Sequence, residues 1–475
     1  MRSVFFFVFI FAIGQLLGQK KLPVKKQLKE YEIIKESLNS HFIGIDNYLT
    51  RKQVDSLFQD LRIKLMKPNT TVELYRIYSH FLAQFNDGHT QVQSSPGLFN
   101  RFCFSETTLP FAIGADDSSF YSLEHYYYNG MEVYYHDRIL SINGKTFEEY
   151  ANEMAANYSS DAKISSFQRR AFQRNFQYYY FLNYPIPEYF KVKMVHKNDT
   201  ISTMFYPNPP SYRVISDLNH LSELTQKKDY GYLLLNEKHR FAYLKFESFF
   251  NSNGLEYKLK LEEHFNRIKE NNTEYLIIDL RDNLGGKFQT DLLGHLFEKP
   301  TAICNIYFSA MQKPKYKKHM TKSPMYQLYN LMRVKSIMKG AEPVHRYMTK
   351  QKSNVFDGKV ILLTNGHTFS SSTNVSSVLK YKRNATIIGD TGGGHPIKSC
   401  TGLINLKLPY SKLRMVVNPF YFEHQIDSVP NQPELGIQPD IKAPFFVNSP
   451  HDEALEKAVE LIIKEGSLNQ PTISE

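Results

Sequence analysis

The sequence predicts an α/β fold of several domains, α+β at the level of the whole chain, and three observations predict it. Two near-continuous apolar runs, 275–280 and 360–363, lack polar alternation, as strands covered on both faces do. Segments with apolar residues at three- and four-residue steps precede and separate them. A chain of 475 residues has room for two or three domains.

The chain begins MRSVFFFVFIFAIGQLLGQKK. Arg2 precedes a dense apolar run from 4 to 12, and Gly18 and Gln19 stand before two lysines. This is the plan of a secretory signal peptide over 1–18. The run is too short for a membrane span. The expectation is therefore a secreted or periplasmic protein of the cell envelope, with no membrane span after signal removal. Residues 25–100 form a helical N-terminal domain, with LKEYEIIKESLNSHF and QVDSLFQDLRIKLM as amphipathic helices. Thr70 to Glu73 opens a third helix that runs to the turn at Asn86-Asp87-Gly88.

Residues 105–205 are mixed. The stretch HDRILSINGK (136–145) reads strand, turn, strand, with a helix following over 147–157. It resembles the D-x-I-x-x-I-N-G core of PDZ domains, which bind peptides by adding a strand to a sheet edge. From 215 to 465 strands and helices alternate. Strands are predicted at 241–246, 275–280, 360–363 and 386–388, and helices at 255–269 and 455–463. Segment 310–355 is the least regular.

The net charge is +11, and the densest basic stretch spans 313–340. It suits an anionic surface or a solvated face. No nucleic-acid motif accompanies it, so no nucleic-acid partner is expected. Three cysteines, Cys103, Cys304 and Cys400, are too few for a disulfide scaffold, though one pair could form. No Cys/His spacing suggests a metal, and no cofactor motif is found. Several N-x-[ST] sequons occur, including those at Asn69, Asn198 and Asn384.

Five motifs could carry chemistry. DGHT (87–90) places a histidine in a turn. DLRDNLGG (279–286) sits at the carboxyl end of a buried strand, where α/β sheets place their sites. Its paired glycines allow N–H groups to converge on an oxyanion. TFSSST (368–373) follows the 360–363 strand and reads as a helix start rich in hydroxyls. IIGDTGGGH (387–395) holds a glycine run but lacks the strand–GxxxxGK[ST]–helix arrangement of a phosphate loop. PELGIQPDI (433–441) is a turn-rich connector.

In this order the motifs resemble the tail-specific, or carboxyl-terminal processing, serine peptidases, closest to the branch that shares the tricorn protease core. The resemblance covers roughly 30 to 445. It implies a core of ClpP/crotonase-like type and a peptide or protein substrate, with no cofactor. It places the nucleophile at Ser370, about nineteen residues before Gly389. It gives the oxyanion hole to the N–H of Ser371 with one or both of Gly285 and Gly286. Members with a Ser-Lys dyad carry a lysine where this chain has His395, and Lys398 lies three residues further. The tricorn-like branch instead takes its base from an upstream histidine, which is His89 here. The same analogy suggests Glu434 as the acid behind His89, while the serine that precedes the histidine in that branch is Gly88. His395 is left as a substrate contact or a solvent-facing residue, and Asp279 and Arg281 as holders of the glycine turn.

A second reading is a catalytically inactive binding protein for peptides or apolar ligands on the same fold, as the related retinoid-binding proteins of the eye suggest. A third is a cysteine hydrolase using Cys400 and His395.

Overall fold

The computed structural model describes residues 20–468, apart from 118, 129, 224–230, 251–252, 309–314, 322–326, 328–341, 403, 447–448 and 450. The predicted signal peptide and most of the basic stretch lie outside the described residues.

The architecture is built around a six-stranded sheet. Its spatial order is Ile441–Lys442, Thr386–Gly389, Lys359–Thr364, Tyr275–Asp279, Phe241–Lys245 and Tyr232–Asn236. All neighbours run parallel except the last pair. The two central strands are apolar over 275–278 and 360–363 because both faces are covered. On one face Leu244, Ile278 and Leu362 pack against Tyr257, Leu261 and Phe265 of the Gly254–Glu270 helix, and against Val375 and Val378 of the Ser371–Arg383 helix. On the other, Ile277, Ile361 and Leu363 pack against Ala454, Ala458 and Ile462 of the Glu453–Leu468 helix. Successive side chains of one strand point to opposite faces, so a strand with two dry faces keeps its polar residues, here Asp279 and Thr364, at its ends.

The N-terminal helices are Val24–His41, Arg51–Lys64 and Thr71–Ala83. Thr70 caps the third, in a capping box completed by Glu73. Their apolar faces do not close on themselves. They share one core with Ile404, Leu406, Met415, Val417 and Phe420 from the far end of the chain. Val92 pairs with Met415 in the same region. The loop carrying Asp87 to Thr90 is thereby fastened to the sheet-bearing half of the molecule.

The middle of the chain forms a separate antiparallel sheet of five strands. Its order is Ile113–Ala115, Phe120–Ser122, Arg138–Ile142, Phe190–His196 and Asp199–Phe205. Asn143 and Gly144, with φ of 51° and 80°, make the turn expected after Arg138–Ile142. The strand predicted beyond that turn is a single bridge, Ile142 to Lys145, because Thr146 already caps the Phe147–Ala155 helix. A helix the sequence reading passed over, Ser165–Asn183, runs from this sheet to the central one, with a break at Asn175. A further antiparallel sheet, His345–Met348, Ala302–Phe308, Phe420–His424 and Lys398–Thr401, was also not foreseen. Among the described residues no helix is long and apolar enough to cross a membrane.

Ile278 lies fully buried between Leu244 and Leu362. Ile278→Ala is expected to destabilise the sheet-bearing half by about 2–5 kcal/mol, through lost transfer energy plus the cavity left behind. The midpoint of urea unfolding followed by circular dichroism measures it.

Candidate active site

Three loops at the carboxyl ends of neighbouring parallel strands, after Tyr275–Asp279, Lys359–Thr364 and Thr386–Gly389, meet a fourth loop from the N-terminal helices. The first, after Tyr275–Asp279, carries the glycine pair. Asp279 is fully buried, holds the Arg281 guanidinium at 2.7 Å and accepts from the Tyr243 hydroxyl at 2.7 Å. Arg281 also reaches Asp452 at 2.7 Å, so this pair anchors the start of the turn. Gly285 and Gly286 follow with φ of 96° and 151°. A Cβ on Gly285 would lie 2.8 Å from both Ser370 Cβ and the Ser371 nitrogen. One on Gly286 would lie 2.1 Å from the Phe249 carbonyl carbon. Both positions therefore require glycine for space as well as for φ.

The second loop follows Lys359–Thr364. Thr368 donates its hydroxyl to the Leu280 carbonyl at 2.9 Å, which ties the second loop to the first. Ser370 stands at the N-cap of the Ser371–Arg383 helix with φ 59° and ψ −122°. For a serine this is a strained conformation, of the kind that survives where neighbouring contacts dictate it. It is partly exposed, whereas the residues on both sides are buried. The strain presents the side chain to the fourth loop.

There the His89 Nε2 lies 3.0 Å from Ser370 Oγ. The two residues are 281 positions apart. The imidazole stacks on Phe369 with ring centroids 4.5 Å apart, and Phe369 stacks on Phe167 at 4.3 Å. Asp87 fixes the turn that carries the histidine, accepting from the N–H groups of His89 at 3.0 Å and Thr90 at 2.9 Å. Asn418 donates to Thr90 Oγ1 at 2.9 Å and Ser159 to the Thr90 carbonyl at 2.7 Å. Gly88 has no room for a side chain: a Cβ there would lie 2.8 Å from Phe369. Burial pushes the His89 pKa down to about 4, so its neutral form prevails.

Around Ser370 two main-chain donors are free. The N–H groups of Ser371 and Gly286 have no hydrogen-bond partner among the described residues. The Gly285 N–H is already taken by Asn283 Oδ1 at 2.9 Å. A nascent oxyanion would therefore meet Ser371, at the positive end of a 13-residue helix, and Gly286.

Two residues that the sequence reading left unassigned hold this arrangement. Asn283 accepts the Ser372 hydroxyl at 2.7 Å as well as the Gly285 N–H, and donates to the Phe246 carbonyl at 3.0 Å. Asp282 receives a bidentate pair of bonds from Arg170 at 2.9 and 2.8 Å and one from Asn365 at 3.1 Å. Burial would raise its carboxyl pKa, but the Arg170 guanidinium, helped by His367 and Arg174, holds it well below the usual range. The signal was present as the polar positions of DLRDN, but their partners, Arg170 and Asn365, are distant in sequence.

Other expected residues take different places. Glu434 lies half-buried in a short 3-10 turn, where its carbonyl accepts from the Lys163 N–H at 3.1 Å. No hydrogen bond joins its carboxylate to His89, whose Nδ1 is buried without a partner. His395 does not face solvent. It is 5% exposed, donates its N–H to Asp161 and accepts at Nδ1 from Ile397. Lys398 sits with its Nζ 4.2 Å from the Tyr48 ring centroid. All three cysteines are free and buried. Cys400 faces Asp87, and burial raises its thiol pKa, which disfavours a thiolate nucleophile. The 392–394 glycine run lies against protein atoms. A Cβ on Gly393 would lie 1.9 Å from the Gly366 carbonyl oxygen, and one on Gly394 2.2 Å from Thr373 Oγ1. The run packs on the loop that carries Ser370.

Ligand-type atoms of three residues converge behind the site. A ring nitrogen of His89 and one oxygen each of Asp87 and Asp161 lie within 4.8 Å of one another. Both Asp161 oxygens accept main-chain N–H groups, from Gly88 at 2.7 Å and His395 at 3.1 Å. His89 Nε2 is turned to Ser370.

Residues 240–443 match the family model described as Peptidase family S41. No curated protein matches the chain by sequence. Among solved structures, mature CPAF complexed with lactacystin is 14% identical, with a TM-score of 0.62 over 94% of this chain and 98% of that one. Mature CPAF alone is also 14% identical, with a TM-score of 0.61 over 95% and 99%. A putative peptidase from Parabacteroides merdae is 13% identical, with a TM-score of 0.47 over 94% and 99%. At these identities the CPAF structures establish the fold, which extends over nearly the whole chain.

Gly88→Ala is expected to push Phe369 out of its stack on His89 and to lower any activity of the site at least tenfold. The loss should fall in turnover rather than in substrate binding. Steady-state kinetics on a fluorogenic peptide, with the urea midpoint as a control for folding, measures it.

Proposed function

We propose that this chain, a serine-type peptidase by its peptidase family S41 domain, hydrolyses peptide bonds through an acyl-enzyme at Ser370, in the cell envelope or outside the cell. The observation that carries the reading is the 3.0 Å approach of His89 Nε2 to Ser370 Oγ. It joins two motifs from opposite ends of the chain beside two unpaired N–H groups.

In the proposed reaction the Ser370 hydroxyl donates its proton to His89 Nε2 as Oγ attacks the scissile carbonyl carbon. The carbonyl oxygen becomes negative and is received by the N–H groups of Ser371 and Gly286. His89 then gives the proton to the departing amine, leaving Ser370 acylated. Water, deprotonated by His89, attacks the ester, and the proton returns to Ser370 as the acid product leaves. Gly285 contributes space rather than a donor, since its N–H is committed to Asn283. A histidine base from an upstream loop supports the tricorn-like branch of the family. The apolar start of the chain supports export. The PDZ-like resemblance at 136–145 supports a peptide-docking role for the middle domain.

Ser370 of the mature protein is expected to react with a fluorophosphonate probe, mapped by mass spectrometry. Ser370→Ala should abolish the label. His89→Ala should slow it and lower kcat on peptides by about 10⁴–10⁶, as loss of one member of a catalytic unit does. Folded protein that takes no label would instead favour the inactive binding protein, and bound apolar ligands or peptides should then be sought.

A further inference from the structure

We propose that Asp161, backed by Asp87, is the acid that positions His89, the role for which family analogy suggested Glu434. The inference rests on the proposed peptidase reaction and assigns a further residue to it.

For Nε2 to accept the Ser370 proton, the neutral imidazole must carry its own proton on Nδ1. That Nδ1 is buried and lacks a partner. A buried N–H without an acceptor is costly, and the imidazolium formed on attack is costlier still. The residues that can answer it are the carboxylates converging on the ring, Asp87 and Asp161, each 4% exposed. Asp87 spends its Oδ1 on the N–H groups of His89 and Thr90. Asp161 is held from two other directions, by the N–H groups of Gly88 and His395, and it stands opposite the histidine turn. One ring nitrogen of His89 and one Asp161 oxygen lie within 4.8 Å of each other, and catalytic hydrogen bonds often tighten only once substrate binds. Glycine at 88 fits this arrangement. Its N–H grips Asp161, and any side chain there would intrude on Asp161 Oδ1, 3.1 Å from the Cβ position, as well as on Phe369.

The groups facing Asp161 are Asp87, His89, Tyr48, His395, Cys400 and Lys398. Burial first, and then the charge of Asp87, push the Asp161 pKa up to about 7. Below that pH Asp161 is protonated and its own carboxylate charge is missing behind His89. Above it the carboxylate is ionised, can accept from Nδ1–H and offsets the imidazolium. Activity should therefore rise with pH through about 7, although His89 alone, at about 4, would be ready far lower. The raised pKa also means that ionised Asp161 is held at a cost, present above about pH 7 and absent below the unfolded value. Replacing it with a neutral amide does not sacrifice a stabilising ion pair.

The test is kcat and KM against pH for the wild type, Asp161→Asn, Asp161→Glu and Glu434→Gln, with urea midpoints. Asp161→Asn is expected to lose at least about 100-fold in kcat with KM within about threefold, and to lose the rise near pH 7. Asp161→Glu should recover part of the rate. A loss below about threefold with the pH profile unmoved, or a larger loss in Glu434→Gln than in Asp161→Asn, overturns the proposal. If Asp161→Asn fails to fold, the imidazole N–H proton resonance of Ser370→Ala decides. A downfield Nδ1–H signal that fades as pH falls through about 7 supports it, and its absence at pH 8 overturns it. This readout needs no turnover, so it stands apart from the failure of fluorophosphonate labelling, which would sink the peptidase reading itself.

Discussion

The site depends on one side chain with three bonds. Asn283 accepts from Gly285 N–H and from the Ser372 hydroxyl and donates to the Phe246 carbonyl, while its own carbonyl receives the Phe369 N–H at 3.1 Å. It is fully buried, so each of these bonds is made where water cannot compete. The Asn283 links bring three segments to a separation that only glycine tolerates at 285 and hold Ser370 at a positive φ. The strain at Ser370 is maintained by these neighbours, since nothing in the serine itself favours that conformation.

A second constraint is desolvation. The His89 ring is enclosed by Phe369 and the Asp87–Asp161 pair, and burial lowers its pKa to about 4. Enclosure keeps the base neutral but makes its charged form expensive. The same enclosure raises the carboxyls beside it. Two acids and one base that are each disfavoured as ions have a common remedy, since a cation and an anion placed together offset one another. Burial disfavours each ion alone and would favour the two ions formed together.

Much of the fold was legible because its causes are local. The apolar strands at 275–280 and 360–363, the helices before them and the Thr70 cap follow from periodicity and from side chains within one turn. The Ser165–Asn183 helix was missed, since its aromatic residues face two different partners and leave no single stripe. The sheet of Ala302–Phe308 and Phe420–His424 joins segments more than a hundred residues apart, and no local pattern announces such pairing. At the site, motif order placed Ser370 and His89, and the structure brings their reactive atoms together. It could not distinguish Gly285 from Gly286, because that depends on which N–H Asn283 has already taken. Nor could it find Asp161, which lies in a loop of the middle domain with no motif of its own.

That position of Asp161 bears on how the chain is organised. The middle segment contributes Asp161 behind the histidine, Arg170 to Asp282 beneath the glycine turn, and Phe167 to the aromatic stack that ends on His89. All three lie in or just before one helix that begins at Ser165. A rigid displacement of that helix would shift the acid, the oxyanion loop and the ring stack together. The middle segment therefore touches the Ser370–His89 site through short contacts, and a ligand that moved it would alter the geometry of Ser370 directly. A peptide docked on its sheet edge would need no long pathway to be felt at the site. The coupling would travel through one ion pair, one hydrogen-bonded carboxylate and one stacked ring.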